Sequence, residues 1–93
     1  MTKQDIVAQV SQKTGVDKAT AQNVVEAFMA TVKEDMINGN EVFLRGFGSF
    51  IIKRRAEKTA RNITKNTTLI VPAHNIPAFK PSKEFLNAIA KRG

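Results

Sequence analysis

The chain has 93 residues with 42% hydrophobic content, which suits one small domain near the lower size limit for a stable monomeric core. It contains no cysteine, which excludes disulfides and thiolate metal sites and is compatible with a reducing compartment such as the cytoplasm. No apolar run approaches the roughly 20 residues that cross a bilayer, so we expect a soluble protein without a membrane partner. The formal net charge of +7 indicates a polyanionic partner.

Two helices are predicted before residue 40. Thr2 has the side chain of a helix N-cap, and Gly15 can adopt the left-handed conformation that ends a helix. Asp17 is predicted to cap a second helix, whose apolar residues recur at three- and four-residue steps until Asn38-Gly39 stops it. Two helices joined by a tight turn form a helical hairpin.

The pattern then changes to strands. Residues 42–44 and 50–52 are β-prone runs, and a turn that contains Gly46 and Gly48 separates them. These glycines can supply a positive φ or a close backbone approach. The sequence therefore predicts two antiparallel strands joined by a tight turn.

The net positive charge of the chain comes entirely from its second half. Residues 1–52 hold five Lys/Arg against six Asp/Glu, residues 53–65 hold six against one, and residues 66–93 hold four against one. Residues 53–68 include too few apolar side chains to join a core, so this segment must project into solvent. It precedes another β-prone run at residues 69–71 and is predicted to form a long two-stranded arm with its tip near residues 63–66.

The remaining chain is predicted to close the sheet and add one helix. Pro72 and Pro77 favour an edge strand or a bend, and the sheet should end by Pro81. Ser82 is the predicted cap of a short C-terminal helix. His74 is the single histidine, without Cys or acidic neighbours, and is expected to be a surface or strand-end residue.

Three motifs resemble the HU/IHF family of bacterial histone-like proteins over essentially the whole chain. They are Gly46-Phe47-Gly48-Ser49-Phe50, Arg61-Asn62 and the run from Asn75 to Pro81, which reads NIPAFKP. The resemblance implies an α+β fold with an N-terminal helical hairpin, a three-stranded antiparallel sheet extended into a β-ribbon arm, and a short C-terminal helix. It also implies an intertwined homodimer. Residues 1–93 would form a single domain, with residues 1–52 and 69–93 in the dimer body and residues 53–68 in the DNA-binding arm.

The implied function is architectural. The resemblance implies a protein of the nucleoid in the cytoplasm that binds double-stranded DNA in the minor groove with little sequence preference and bends or compacts it. The family's arm tip reads Arg-Asn-Pro, and its proline inserts between base pairs. The matching residues here are Arg61-Asn62-Ile63, so Ile63 is the expected DNA-intercalating wedge. Ile63 could instead stabilise the turn of the arm.

The expected DNA contacts combine the arm with cations elsewhere. Basic residues on the arm suit phosphates, and Lys80 and Lys83 flank the Ser82 cap, where a phosphate could dock at a helix N-terminus. Lys3 in the first turn of the first helix invites the same argument more weakly. The alternative interpretation is that these cations have no binding role and only keep the surface solvated. The residues expected to bind DNA are Lys3, Lys53, Arg54, Arg55, Lys58, Arg61, Asn62, Ile63, Lys65, Lys80 and Lys83.

Other functions stay open or are disfavoured. The first alternative is a sequence-specific, IHF-like DNA bender or transcription regulator, and the second is an oligomerisation protein whose arm only adds solubility. RNA is the less favoured partner, because the six Phe lie in core-like patterns and are expected to pack and not to stack on bases. A heterodimer is left open. No catalytic or metal-binding constellation is visible, so neither enzymatic activity nor a cofactor is expected.

Overall fold

The computed structural model describes residues 1–62 and 67–92. Two compact units divide the chain, Met1–Asp35 and Met36–Gly93. The elements, in chain order, are α1 (Lys3–Thr14), α2 (Lys18–Ile37), β1 (Val42–Leu44), β2 (Gly48–Arg55), β3 (Lys58–Asn62), β4 (Thr67–Val71), β5 (His74–Pro81) and α3 (Lys83–Ala90). This order confirms the α+β class with a helical hairpin, an antiparallel sheet and a short last helix.

The first unit contains helices whose ends are set by local hydrogen bonds. Thr2 N–H donates to Asp5 Oδ2 at 2.9 Å while Asp5 N–H donates back to Thr2 Oγ1 at 3.4 Å. Gly15 ends α1 with a φ of 79°. Asp17 accepts from Thr20 Oγ1 at 2.6 Å and from Thr20 N–H at 3.1 Å. These bonds lower the pKa of both Asp5 and Asp17, and all three predicted helix boundaries are confirmed.

The first unit also holds the buried hydrophobic side chains found among the described residues, Val7 at 3% exposure and Ala21 at 0%. Other large apolar side chains, such as Phe28 at 46%, remain exposed. One chain alone therefore buries little apolar surface.

An ion pair joins the two helices of this unit. Lys3 Nζ donates to Glu26 Oε1 at 2.9 Å, and this bond lowers the pKa of Glu26.

The second unit is built on a three-stranded antiparallel sheet with the strand order β1-β2-β5. Eight residue pairs join β2 to β5, from Gly48 opposite Pro81 to Arg55 opposite His74. β5 is an edge strand, which is where Pro77 can lie without removing a needed ladder donor.

The turn between β1 and β2 uses the conformational freedom of its glycines. Gly46 has a φ of 79°, which L side chains rarely adopt. Gly48 is buried, and a Cβ there would lie 2.5 Å from Phe79 Cζ and 2.6 Å from the Lys80 carbonyl oxygen. Both predicted uses of glycine, positive φ and close approach, are confirmed.

A two-stranded ribbon, β3 paired with β4, follows the sheet. Its register runs from Lys58 opposite Val71 to Asn62 opposite Thr67. Residues 56–57 and 72–73 are outside any strand and separate the ribbon from the β2/β5 ladder. The break at 72–73 contains Pro72, at the predicted bend.

Helix α3 closes the second unit against aromatic rings. Phe47 lies 5.6 Å from Phe85 and 5.1 Å from Phe79, measured between ring centroids. Ser82 is the N-cap: its hydroxyl accepts from Phe85 N–H at 3.2 Å and donates to the Gly46 carbonyl at 3.0 Å. The predicted cap is confirmed, and it also ties α3 to the β1–β2 turn. No helix in the described part of the chain is long and apolar enough to span a membrane.

Candidate nucleic-acid interface

The register of β2 and β5 sorts the basic side chains onto two faces of the sheet. Successive side chains in a strand point to opposite faces, and directly paired residues in antiparallel strands share a face. Lys53 and Arg55 therefore share a face with His74, which pairs with Arg55, and with Lys80, which pairs with Ser49. We call the surface formed by Lys53, Arg55, His74 and Lys80 the basic face.

The opposite surface of the same sheet is mostly apolar and carries a cluster of aromatic rings. Phe50 pairs with Phe79, and their ring centroids lie 5.2 Å apart. Phe79 also contacts Phe85 of α3, with the rings at 6.3 Å. Arg54, although it lies between Lys53 and Arg55 in sequence, belongs to this aromatic face. The basic face is thus the side of the sheet that α3 leaves open.

The basic face is long enough to follow a stretch of DNA backbone. Lys80 lies level with Ser49 and His74 lies level with Arg55, six residues further along β2. At a rise of about 3.3 Å per residue, these two levels are about 20 Å apart. Lys53, Arg55 and Lys80 are exposed, and within the described residues no carboxylate forms an ion pair with them. The face therefore has an uncompensated positive potential.

An open cleft lies at each end of the basic face. One, of about 420 Å³, is lined by residues that include Phe43, Ser49, Lys80 and Ser82. Phe43 pairs with Ser49 and is 72% exposed, so the packing predicted for this ring is not formed within the described chain. Lys83 follows the Ser82 cap as the first residue of α3. Both lysines predicted around the helix N-terminus are thus present at this end.

The other cleft, of about 350 Å³, lies where the three-stranded sheet gives way to the ribbon. Its lining includes Arg55, Lys58 and His74. The structure therefore brings together cations from β2 and β3, and adds the histidine of β5.

Several predicted contacts are not among the residues that form the basic face. Lys3 lies in the other unit, where its ammonium group bonds to Glu26. Arg61 and Asn62 are the last residues of β3, near the end of the described ribbon. Ile63 and Lys65 lie outside the described residues.

Known proteins resemble this chain in both sequence and fold. The sequence model of the family described as "Bacterial DNA-binding protein" matches residues 1–90. The chain belongs to that family. This confirms the resemblance to HU and IHF proteins.

Individual relatives of this family member agree over nearly their whole length. The chain is 37% identical to the DNA-binding protein HU of Thermus thermophilus, over 98% of this chain and 94% of that protein. It is 36% identical to the DNA-binding protein HRL18 of Rhizobium leguminosarum, over 96% and 98% respectively. The Anabaena HU chain solved in a cocrystal with DNA is 36% identical, with a TM-score of 0.92 and 97% of this chain covered.

Sequence reasoning missed one residue of this family member's basic face, His74. The only signal in the sequence was its place two residues after Pro72, which indicates a strand end. Its position opposite Arg55 depends on the β2/β5 register, which pairs residues 19 positions apart in the chain. The other members of the face, Lys53, Arg55 and Lys80, were all among the predicted contacts.

Proposed function

We propose that this chain is an architectural protein that binds double-stranded DNA in the minor groove, with little sequence preference, and bends or compacts it. The observation that carries the proposal is the basic face: Lys53, Arg55 and Lys80 are exposed along one side of a sheet whose other side is packed against α3. Membership of the bacterial DNA-binding protein family supports it. So does the similarity to an HU chain that was crystallised with DNA.

The basic face supplies affinity without reading sequence. Cations that neutralise phosphates release condensed counterions, and this contribution is the same for every duplex. Lys53, Arg55 and Lys80 would contact the backbone along the sheet, and Lys58 would continue the contact onto the ribbon. Lys83, beside the Ser82 cap, would add a phosphate contact at the start of α3.

The arm supplies the bend. Arg61 and Asn62 end β3, so they would reach acceptors in the minor groove, whose pattern separates A·T from G·C but little else. Ile63 would insert as an apolar wedge and partly unstack a base step, at a cost of a few kcal/mol that extra contacts with bent DNA offset. Lys65 would contact phosphates beside the wedge.

A homodimer completes the proposal. Apolar side chains of both units remain exposed in one chain, including Val24 at 59% and Phe28 at 46% in the first unit. Leu86 and Ile89 of α3 are 56% and 61% exposed. Large exposed apolar side chains in this number favour an interaction surface, and a second copy of the chain presents the same side chains. We therefore expect the DNA-binding species to be a dimer. As an architectural protein, it is expected to be located in the nucleoid and to have neither catalytic activity nor a cofactor.

Energy transfer between dyes on the two ends of a duplex tests bending directly. Two duplexes of unrelated sequence would be titrated at moderate salt, and we expect both to shorten at similar protein concentrations. Shortening of one duplex alone would favour a sequence-specific, IHF-like regulator. If neither end-to-end distance changes, the protein does not bend DNA. In a separate competition assay, duplex RNA added against a labelled DNA duplex measures the preference for DNA.

The wedge has its own test in the same assay. Ile63→Ala should reduce the bend while the salt dependence of binding is preserved, because the phosphate contacts remain. Thr64→Ala is the matched control, since it changes the neighbouring residue without removing the wedge. Equal bends for Ile63→Ala and the unmodified protein would show that Ile63 does not insert.

The dimer is tested by sedimentation equilibrium without DNA. We expect twice the chain mass of 10.3 kDa across the micromolar range. A monomer at those concentrations would contradict the homodimer and leave the exposed apolar residues unexplained.

A further inference from the structure

One end of the basic face contains His74, a residue to which the DNA-binding proposal assigns no role. We call the cleft beside His74 the junction cleft: it is lined by Arg55, Ala56, Lys58, Val71, His74 and Ile76, at the boundary between the three-stranded sheet and the ribbon. Its polar lining consists of two cations and one imidazole. This composition suits an anion, and the protonation state of His74 affects how strongly the cleft can bind one.

The hydrogen bonding of His74 fixes which ring nitrogen can act on a ligand. His74 Nδ1 lies 2.8 Å from the Pro72 carbonyl oxygen. A carbonyl oxygen can only accept, so Nδ1 carries the hydrogen. In the neutral ring Nε2 is then a lone-pair acceptor, which a phosphate oxygen repels. In the protonated ring Nε2–H is a donor and the side chain carries a positive charge.

We propose that the junction cleft is a proton-linked phosphate site, in which protonated His74, beside Arg55 and Lys58, binds one further backbone phosphate of DNA that the neutral ring does not bind. This inference rests on the proposed function and names a contact and a regulation within it. Imidazole is the side chain that ordinarily changes charge between about pH 5 and 8. The strength of DNA binding should therefore change over the same range.

The charges around His74 determine the direction of the effect. Arg55 faces it from β2 and Lys58 from β3, while the lining residues from β4 and β5, Val71 and Ile76, are apolar. A bound phosphate places negative charge beside the imidazole and favours its protonated form. Binding should thus take up a proton, and by linkage affinity should rise as the pH falls.

The experiment measures the dissociation constant of a duplex as a function of salt at pH 5.5 and pH 7.5. One additional phosphate contact per chain makes the slope of log affinity against log salt steeper by about 0.9. We expect this steepening at pH 5.5 in the unmodified protein and no steepening in His74→Gln. Between 50 and 200 mM salt the difference corresponds to about 3.5-fold in affinity per chain.

A second variant and a second measurement separate the possible causes. His74→Lys keeps a positive charge at both pH values, so it should show the steeper slope at both. Calorimetry at pH 6.5 in two buffers of different ionisation enthalpy should reveal proton uptake on binding, reduced in His74→Gln. Because His74 is exposed, both variants should keep the unfolding temperature of the unmodified protein.

The outcomes distinguish this inference from the proposed function. Equal pH dependence in the unmodified protein and His74→Gln would overturn the junction-cleft site while DNA binding itself stands. Absence of DNA binding by the unmodified protein at both pH values would instead overturn the proposed function, and the site with it.

Discussion

The assignment of cations to two faces of the sheet makes a sharp prediction for neighbouring arginines. Arg55 lies on the basic face opposite His74, whereas Arg54 lies on the aromatic face opposite Asn75. Arg54→Gln and Arg55→Gln remove the same charge from adjacent positions of one strand. We expect only Arg55→Gln to remove a phosphate contact, because the side chain of Arg54 starts from the face that packs on α3.

The size of the effect follows from counterion release. Each lost phosphate contact flattens the slope of log affinity against log salt by about 0.9, so a dimer that loses two contacts flattens by about 1.8. Over a fourfold change in salt, from 50 to 200 mM, the unmodified protein should lose about 12-fold more affinity than Arg55→Gln. Arg54→Gln changes the net charge equally, and its slope should stay close to that of the unmodified protein.

Fluorescence anisotropy of one labelled duplex, titrated at four salt concentrations and pH 7.5, measures all three slopes. Thermal unfolding of each variant checks that the fold is retained. If the two variants flatten the slope equally, the division of the sheet into a basic and an aromatic face does not govern DNA contact. If neither variant changes the slope, phosphates are bound elsewhere on the protein.

Three further predictions concern stability. Gly48→Ala should cost about 1–3 kcal/mol, because the new Cβ would lie 2.5 Å from Phe79 Cζ and 2.6 Å from the backbone carbonyl oxygen of Lys80. Ser82→Ala should cost about 1–2 kcal/mol, because it removes both the helix cap and the bond to the Gly46 carbonyl. Glu26→Gln should reduce the loss of stability in acid. Its ion pair lowers the pKa of Glu26 in the folded state, so the stabilisation is complete above the ordinary value of 4.5 and is lost as the pH falls through the lower folded-state value.

Denaturant unfolding measures the first two, and each has a control. Gly39→Ala places a Cβ at a φ of 92° with nothing within 4 Å, so it should cost only the left-handed strain of about 1–2 kcal/mol and leave Phe79 undisturbed. Ser82→Thr keeps a capping hydroxyl and should retain most of the stability. For Glu26→Gln, melting temperatures at pH 7 and pH 3 are compared with those of the unmodified protein. An equal acid shift in both would mean that the Lys3 pair contributes nothing.

The parts of the fold that were predictable from sequence are those determined by short-range chemistry. The caps at Thr2, Asp17 and Ser82 are side chains that bond to a backbone N–H three residues ahead. Gly15 and Gly46 supply a positive φ at a single position. Each of these features depends on only a few neighbouring residues, so the local sequence was enough to predict it. The family resemblance extended this reading to the sheet and the arm.

The composition of the basic face was not predictable, because it depends on pairing between distant residues. From the sequence, Lys53, Arg54 and Arg55 form one basic run, and residues 53–68 were assigned to the arm. The structure continues β2 through Arg55, and the strand period then separates Arg54 from its neighbours. His74 joins the face only through its pairing with Arg55. Ile63 and Lys65 lie outside the described residues, so their roles stay predictions.

The register between β2 and β5 connects the packing of the sheet to the charges on its surface. A slip of one residue between β2 and β5 would turn every β2 side chain to the other face and exchange Arg54 for Lys53 and Arg55. The absence of a side chain at Gly48 counters such a slip, since the ring of Phe79 occupies the space that any Cβ at that position would need. Replacing Gly48 in the register by Ser49 would bring a side chain into that space. The aromatic packing on one side of the sheet therefore determines which charges lie on the basic face.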